Sequence, residues 1–96
     1  MFFLVLASDL PGTLERRLEH RQRHLDYWDS KPGTVKIAGA MLDGDTAKGS
    51  AFLLEADDEA AVRALLSGDP FSTEGIFGDD IRIKAFRPAI GDWKPA

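Results

Sequence analysis

The chain has 96 residues, a formal net charge of −4, 44% apolar and 29% charged residues, and no cysteine. This length predicts a single domain, and the acidic balance argues against a nucleic-acid-binding surface. The lack of cysteine excludes disulfides, a thiolate nucleophile and cysteine-based metal sites. The apolar N-terminal run is too short for a signal peptide, and no stretch approaches the ~20 apolar residues of a membrane span. We therefore expect a soluble cytoplasmic protein with no membrane partner.

The first half of the chain predicts a strand followed by a helix. Phe2–Ala7 is a continuous apolar run, which is typical of a central strand buried on both faces. Turn residues follow, with Asp9 or Thr13 as the candidate helix cap. The helix is predicted to end near Asp29, before a Lys-Pro-Gly sequence at 31–33.

The second half predicts a hairpin, a second helix and a last strand. The ranges are strand two 34–42, turn 43–49, strand three 50–56, helix two 57–66, an irregular link 72–78, strand four 80–86 and a tail from about residue 88. With right-handed connections, the order βαββαβ gives a ferredoxin-like α+β fold, in which both helices cover one face of an antiparallel sheet. A second copy of the chain is the simplest cover for the other face, so we expect a homodimer.

Helix one contains both histidines and is rich in arginine. Its predicted apolar stripe consists of Leu14, Leu18, Leu25 and Trp28. At about 100° per residue, Arg21 falls near the middle of this stripe, at about −20° from its first leucine. Arg17 and His24 border the stripe at about −60° and −80°, whereas His20 lies at about −120°, towards solvent. A charged side chain inside an apolar stripe needs an ion-pair partner or a binding pocket, unless its aliphatic part packs against the core while its charged end stays in water.

The histidine pair allows several interpretations. A histidine can exchange a proton at cellular pH, but His24 could equally close the edge of the core. His20 and His24 are spaced to share a helix face and a metal ion. A zinc site would need a third ligand and a glutamate base, and the surrounding arginines oppose a dication, so we expect neither a metal nor another cofactor. In strand two, Gly39 between two alanines leaves a flat surface that a ligand or another backbone can approach.

Several short motifs occur in a characteristic order. They are the apolar first strand, Asp9-Leu10-Pro11-Gly12 before an Arg-rich helix with Arg21 and His24, the segment 38–44, and Asp69-Pro70-Phe71 before Gly75-Ile76-Phe77. In this order and spacing they resemble the YciI-like (YCII-related) family, from residue 1 to about residue 88. The resemblance implies one YCII-related domain over residues 1–96 with a dimeric α+β barrel fold, related to that of muconolactone isomerase.

The resemblance also implies an active site. The family is described as having a site centred on a histidine and an aspartate, which correspond here to His24 and Asp69, with Asp9 as the rival aspartate. A carboxylate beside a histidine fixes its tautomer and stabilises its charged form. Arg21, one turn before the histidine, would hold an anionic group of the substrate.

Three further residues complete the predicted substrate-binding set, namely Asp9, Gly39 and Phe71. The expected reaction is an isomerisation or elimination by general acid/base catalysis on a small anionic or cyclic molecule. A second hypothesis is a non-catalytic module that binds a small molecule in the same pocket. A third is an interaction protein in which the dimer itself is the functional unit. A purely structural role for Asp69, in which it only starts a turn before proline, is a further alternative.

Overall fold

The computed structural model describes residues 1–94. The elements are β1 (Phe2–Asp9), α1 (Leu14–Asp29), β2 (Val35–Asp43), β3 (Thr46–Glu55), α2 (Glu59–Gly68), α3 (Pro70–Thr73) and β4 (Phe77–Phe86). This order confirms the predicted βαββαβ arrangement and adds the short helix α3. The predicted tail contains no helix or strand up to residue 94, and residues 95 and 96 lie outside the described range.

The four strands form one antiparallel sheet in the order β2-β3-β1-β4. This is the predicted ferredoxin-like α+β topology, with β1 in a central position. Phe3, Val5 and Ala7 of β1 are at most 4% exposed, beneath the helices, whereas Leu4 and Leu6 on the opposite face are 40% and 44% exposed. Within one chain, β1 is therefore buried on one face only.

The core lies between the helices and the covered face of the sheet. Its buried members are Phe3, Val5, Ala7, Trp28, Phe52, Leu54, Val62, Leu66, Phe71, Ile76, Phe77 and Ile83. Fully burying one large apolar side chain stabilises a fold by about 1.5–3 kcal/mol, so these residues hold α1, α2 and α3 on the sheet. None of the helices described within residues 1–94 combines the length and apolar character needed to cross a bilayer.

Two boundaries differ from the sequence prediction. β3 begins at Thr46, because Asp43 pairs directly with Thr46 across a two-residue turn. Gly44 opens this turn with a φ of +60°, a conformation that glycine adopts readily and that permits a tight hairpin. Residues 46–49, which the sequence prediction placed in the turn, therefore belong to β3. Asp69-Pro70, predicted to be a break, instead starts α3, since proline in the first turn of a helix loses no hydrogen bond.

The predicted apolar stripe of α1 is correct for Trp28, which is buried, and for half-buried Leu25, but wrong for its two N-terminal leucines. Leu14 and Leu18 are 41% and 63% exposed, whereas the buried residues of this helix are Arg17, His24 and Trp28. On the angular scale used above, the buried face is centred at about −60° instead of near zero. The helix turns this way because its buried polar side chains find partners in the core, as described next.

Candidate functional site

His24 and Asp69 meet at the centre of the covered face. Nδ1 of His24 lies 2.8 Å from both carboxylate oxygens of Asp69, although 45 residues separate the two in the chain. His24 is 8% exposed and Asp69 is fully buried. The predicted contact between them is therefore confirmed. Because an ionised carboxylate only accepts hydrogen bonds, a neutral His24 in this contact carries its ring proton on Nδ1 and has Nε2 as its proton acceptor.

Two further donors fix the Asp69 carboxylate. The indole Nε1–H of Trp28 donates to Oδ2 at 2.8 Å, and the backbone N–H of Phe71 donates to Oδ1 at 2.9 Å. The second bond makes Asp69 the N-cap of α3. A buried carboxylate is stable only where such donors replace its water. Asp69 is thus held by α1 and α3 together, and its orientation towards His24 is set by the fold.

Aromatic rings hold the imidazole in place. The ring of Phe71 stacks on His24 with centroids 3.9 Å apart and an interplanar angle of 7°. Phe52 from β3 meets the same imidazole edge-on at 6.2 Å. Phe71 has no exposed surface, so in the isolated chain it contacts the imidazole and not the solvent. Its predicted role as a substrate contact stays a prediction.

A second polar cluster lies beside the first and joins α1 to the sheet. Nη1 of Arg17 donates to both oxygens of Asp9 at 2.9 and 3.0 Å, and Nη2 donates to Oγ of Ser50 at 2.9 Å. The guanidinium carbon also lies 4.7 Å from the ring centroid of Phe71, which links this cluster to His24. Asp9 is therefore the partner of Arg17, and among residues 1–94 it is Asp69 that bonds the histidine.

Burial has the largest effect on the pKa of Asp9. It raises the pKa of this carboxyl above 3.8, and the charge and hydrogen bond of Arg17, together with the charge of Lys48, offset that effect only in part. The desolvation of a buried ion can exceed the attraction of its partner. Between 3.8 and the raised pKa, the folded chain binds a proton that the unfolded chain has released, so the contribution of Asp9 to stability falls as the pH rises through this window.

The structure does not bring Arg21 or Gly39 to the His24–Asp69 pair. Arg21 is exposed, so its predicted position inside a buried stripe is wrong: the polar contacts of Arg17 and His24 turn their side of α1 inward instead. Gly39 pairs with Ala51 on edge strand β2, at a register position on the uncovered face of the sheet. Their roles as substrate contacts stay predictions.

His20 is less solvated than predicted. Its side chain is 15% exposed, and its Nε2 lies 3.5 Å from a carboxylate oxygen of Glu74, in the segment after α3. Nδ1 lies 3.1 Å from Nη1 of Arg23. The expectation that this histidine points well into solvent is therefore wrong. Within residues 1–94, no group of three or more potential metal-binding side chains is placed to hold an ion.

Nε2 of His24 is not fully buried. Every fully buried side-chain nitrogen or oxygen in the described part of the chain has a hydrogen-bond partner. Nε2 makes no hydrogen bond to the described residues, so it must retain contact with solvent. The site therefore combines a ring nitrogen that keeps some contact with solvent and a fixed carboxylate on the other side of the imidazole.

The comparisons with known proteins agree with this architecture. The family model of the YCII-related domain matches residues 1–87. The chain belongs to the YCII-related family. An uncharacterised protein of Haemophilus influenzae is 25% identical over 96 residues, which cover 91% of this chain and 97% of that protein.

Solved structures show the same fold. One is the 5-chloro-2-hydroxyhydroquinone dehydrochlorinase TftG from Burkholderia phenoliruptrix, in complex with 2,5-dihydroxybenzoquinone. It has a TM-score of 0.81 and 24% identity, with 99% of this chain and 100% of that chain covered. Another, an antibiotic biosynthesis monooxygenase, has a TM-score of 0.55 and 13% identity, with 95% and 100% covered. This YCII-related chain therefore has the fold of the dimeric α+β barrel class.

The sequence analysis did not assign Arg17, Trp28 or Ser50 to the site, although signals for the first two existed. Arg17 and His24 lie within about 20° of each other around the helix, so a partner for one predicts a polar environment for both. A buried Trp28 needs an acceptor for its indole N–H. Ser50 gave no signal, because the first position of a predicted strand can face either way.

Proposed function

We propose that this YCII-related protein is an enzyme that carries out general acid/base chemistry on a small anionic or cyclic organic molecule. The reaction class is isomerisation or elimination. The observation that carries the proposal is the buried 2.8 Å contact between Nδ1 of His24 and Asp69, with Nε2 left without a hydrogen-bond partner among residues 1–94. A base needs this arrangement, because one ring nitrogen must be fixed and protonated while the other is free to react.

In the proposed reaction, neutral His24 takes a proton at Nε2 from a carbon next to a carbonyl group. The C–H electron pair moves into the new C=C bond and the carbonyl pair moves to oxygen, which gives an enolate. In an isomerisation, His24 returns the proton to another carbon. In an elimination, an oxygen pair re-forms the C=O, the enolate C=C pair forms a new C=C to the neighbouring carbon, and the leaving group departs from that carbon with the pair of its bond. The imidazolium then releases its proton to solvent. Asp69 stabilises the imidazolium that exists between these steps.

The comparison with TftG supports the same reaction class. That protein is named a dehydrochlorinase and binds a small oxygenated ring. Dehydrochlorination is an elimination, as we propose here. At 24% identity the likeness establishes the fold, so the proposal depends on the His24–Asp69 geometry.

One observation favours the alternative of a binding module without turnover. Asp69 caps α3 and accepts a hydrogen bond from Trp28, so its burial serves the fold even in the absence of catalysis. The two functions differ in whether a bound molecule exchanges protons with solvent.

Solvent deuterium exchange separates the two functions. A panel of small cyclic ketones and carboxylic acids is incubated with the protein in D₂O and followed by NMR. We expect exchange into at least one compound, and a loss of about 10²-fold or more in His24→Asn and Asp69→Asn. His20→Asn is the matched control and should keep the wild-type rate, because His20 contacts Glu74 and not Asp69.

The outcome that overturns the enzyme proposal is equally specific. Exchange that persists in a folded His24→Asn variant would contradict the role of His24. A ligand-induced rise in Tm without exchange in any compound would favour the binding module.

A further inference from the structure

The contacts of Arg17 extend beyond its ion pair with the sheet. The side chain is buried, and its terminal nitrogens donate to both oxygens of Asp9 and to Oγ of Ser50. Arginine is rarely buried unless its charge is paired, so these bonds account for its presence in the core. They do not require an aromatic neighbour, yet the guanidinium carbon lies 4.7 Å from the centroid of the Phe71 ring.

Phe71 lies between Arg17 and His24. The imidazole of His24 stacks on the phenyl ring, with centroids 3.9 Å apart and planes within 7° of parallel. A parallel ring at this distance is in full contact with the face that it covers, so the guanidinium over the same ring lies against the opposite face. Because Phe71 has no exposed surface, the two side chains of α1 enclose its ring on both faces.

The geometry of α1 sets the spacing of this arrangement. Arg17 and His24 are seven residues apart, which corresponds to about 10.5 Å along a helix axis and a return to nearly the same face. The contacts of 3.9 and 4.7 Å on the two faces of the phenyl ring together fill most of that distance. α3 inserts Phe71 into this gap, and the backbone N–H of Phe71 is fixed there by Asp69.

The orientation of the imidazole depends on the phenyl ring. Asp69 fixes Nδ1 of His24, but the last side-chain torsion of histidine is broad, so a contact at one nitrogen leaves the ring plane room to tilt. A phenyl ring stacked on the imidazole limits this tilt only while it cannot move away. The guanidinium of Arg17 closes the space on the far face and attracts the ring through a cation–π interaction.

We propose that Arg17 is a positioning residue, which holds Phe71 against His24 and thereby fixes the direction of Nε2. The inference rests on the proposed function for the reaction that it serves, but the orientation of the imidazole can be measured without a substrate. A misplacement of about 1 Å in a reacting group can cost on the order of 100-fold in rate. Because Arg17 acts on His24 through Phe71, its replacement should lower kcat and leave KM nearly unchanged.

Arg17→Lys tests this role. It keeps a positive charge opposite buried Asp9, which avoids an unpaired carboxylate in the core, but it lacks the planar group that stacks on a ring. We expect kcat for deuterium exchange to fall about tenfold while KM changes by less than about twofold. Phe71→Leu should lower kcat to a similar degree. The double variant should lose no more than either single variant, since the two residues act in series.

Proton NMR of the imidazole C–H groups gives a reading that needs no substrate. A stacked phenyl ring displaces these resonances through its ring current, and His24→Asn identifies them because the chain has two histidines. In Arg17→Lys the His24 resonances should move towards their positions in Phe71→Leu. Arg16→Gln is the matched control. Exposed Arg16 also joins α1 to the segment after α3, through the backbone carbonyl of Glu74, and its replacement should change neither the resonances nor the rate.

Four results would overturn the inference: unchanged His24 resonances in Arg17→Lys, moved resonances with an undiminished kcat that still depends on His24, additive losses in the double variant, or an equal loss in Arg16→Gln. Its failure is separable from that of the proposed function. If exchange depends on His24 while Arg17→Lys leaves resonances and rate unchanged, only the role of Arg17 falls. If the resonances move in Arg17→Lys but exchange is absent or independent of His24, the positioning of the imidazole stands and the proposed chemistry falls.

Discussion

The carboxylate of Asp69 has both a structural and a proposed chemical role. It is fully buried and accepts hydrogen bonds from His24, from Trp28 and from the backbone of Phe71. Removing a carboxylate from water costs several kcal/mol, and donors of this kind must offset that cost. The group that orients the proposed base is therefore also a group on which α1 and α3 depend, so stability and activity should respond together to its removal.

A pair of aspartates separates the two roles of Asp69 by experiment. Asp58 caps α2 through a bond from the backbone of Ala61, just as Asp69 caps α3 through Phe71, but Asp58 is exposed. We expect Asp58→Ala to lower the free energy of unfolding by about 1 kcal/mol, the usual value of a cap. Asp69→Ala should lower it by about 3 kcal/mol or more, because His24 and Trp28 lose a buried charged acceptor.

Urea denaturation monitored by circular dichroism gives both values. Equal losses in the two variants would mean that Asp69 acts only as a cap, which would remove the energetic evidence for a buried His24–Asp69 pair.

At the scale of residues, the site was predictable only in part. The resemblance of motifs named His24 and Asp69, but no local rule joins residues that are 45 positions apart, and their contact depends on the whole fold. The predicted position of Arg21 inside a buried stripe was wrong for a physical reason. The phase of the helix was read from its leucines, whereas buried hydrogen bonds to Asp9 and Asp69 set the true phase.

At the scale of elements, periodicity and turn residues were sufficient for the order of strands and helices. They missed α3, which has only four residues and therefore shows no helical period. The consequence is functional, since α3 supplies the backbone N–H that holds Asp69. An element too short to be predicted from its pattern thus completes the site.

Tyr27 shows how α1 is joined to the end of α2. Its hydroxyl donates to the backbone carbonyl of Leu65 at 2.6 Å. A Cβ added at Gly68 would lie 2.6 Å from the same hydroxyl oxygen, so the helices approach closely because this position is glycine. The contact holds the C-terminal half of α1, which carries His24, against the end of α2, after which Asp69 follows.

This contact predicts a measurable alkaline titration. Burial, and then the negative charge of Asp69, raise the pKa of Tyr27 above 10.0. The folded chain keeps a proton that the unfolded chain loses, so stability should fall as the pH rises from about 10 through the raised pKa. Because the chain has a single tyrosine, tyrosinate absorbance reports this group alone.

The denatured protein in urea is the control and should titrate near the ordinary value of about 10. A native midpoint equal to that of the denatured chain would contradict the desolvated contact between Tyr27 and α2.

At the scale of the whole molecule, the uncovered face of the sheet is the main unexplained feature. Leu4, Leu6 and Ile37 on this face are 40–44% exposed. The face also borders a cavity of about 600 Å³, whose walls include Leu53 and, from the tail, Trp93. Contiguous apolar surface of this kind usually marks an interaction site, and a domain of this size buries a modest core on its own.

We therefore expect a homodimer in which two such faces pack together. A standard interface buries about 800 Å² per partner, roughly an eighth of the 6297 Å² of accessible surface of this chain. Light scattering at micromolar concentration should give twice the chain mass of 10.5 kDa.

Leu6→Glu should yield the monomer, because it places a charge in the centre of the interface. Leu18→Glu is the control: this leucine is 63% exposed on α1, away from the sheet, and its replacement should leave the dimer intact. A wild-type mass near 10.5 kDa, or equal dissociation by both variants, would contradict this mode of assembly.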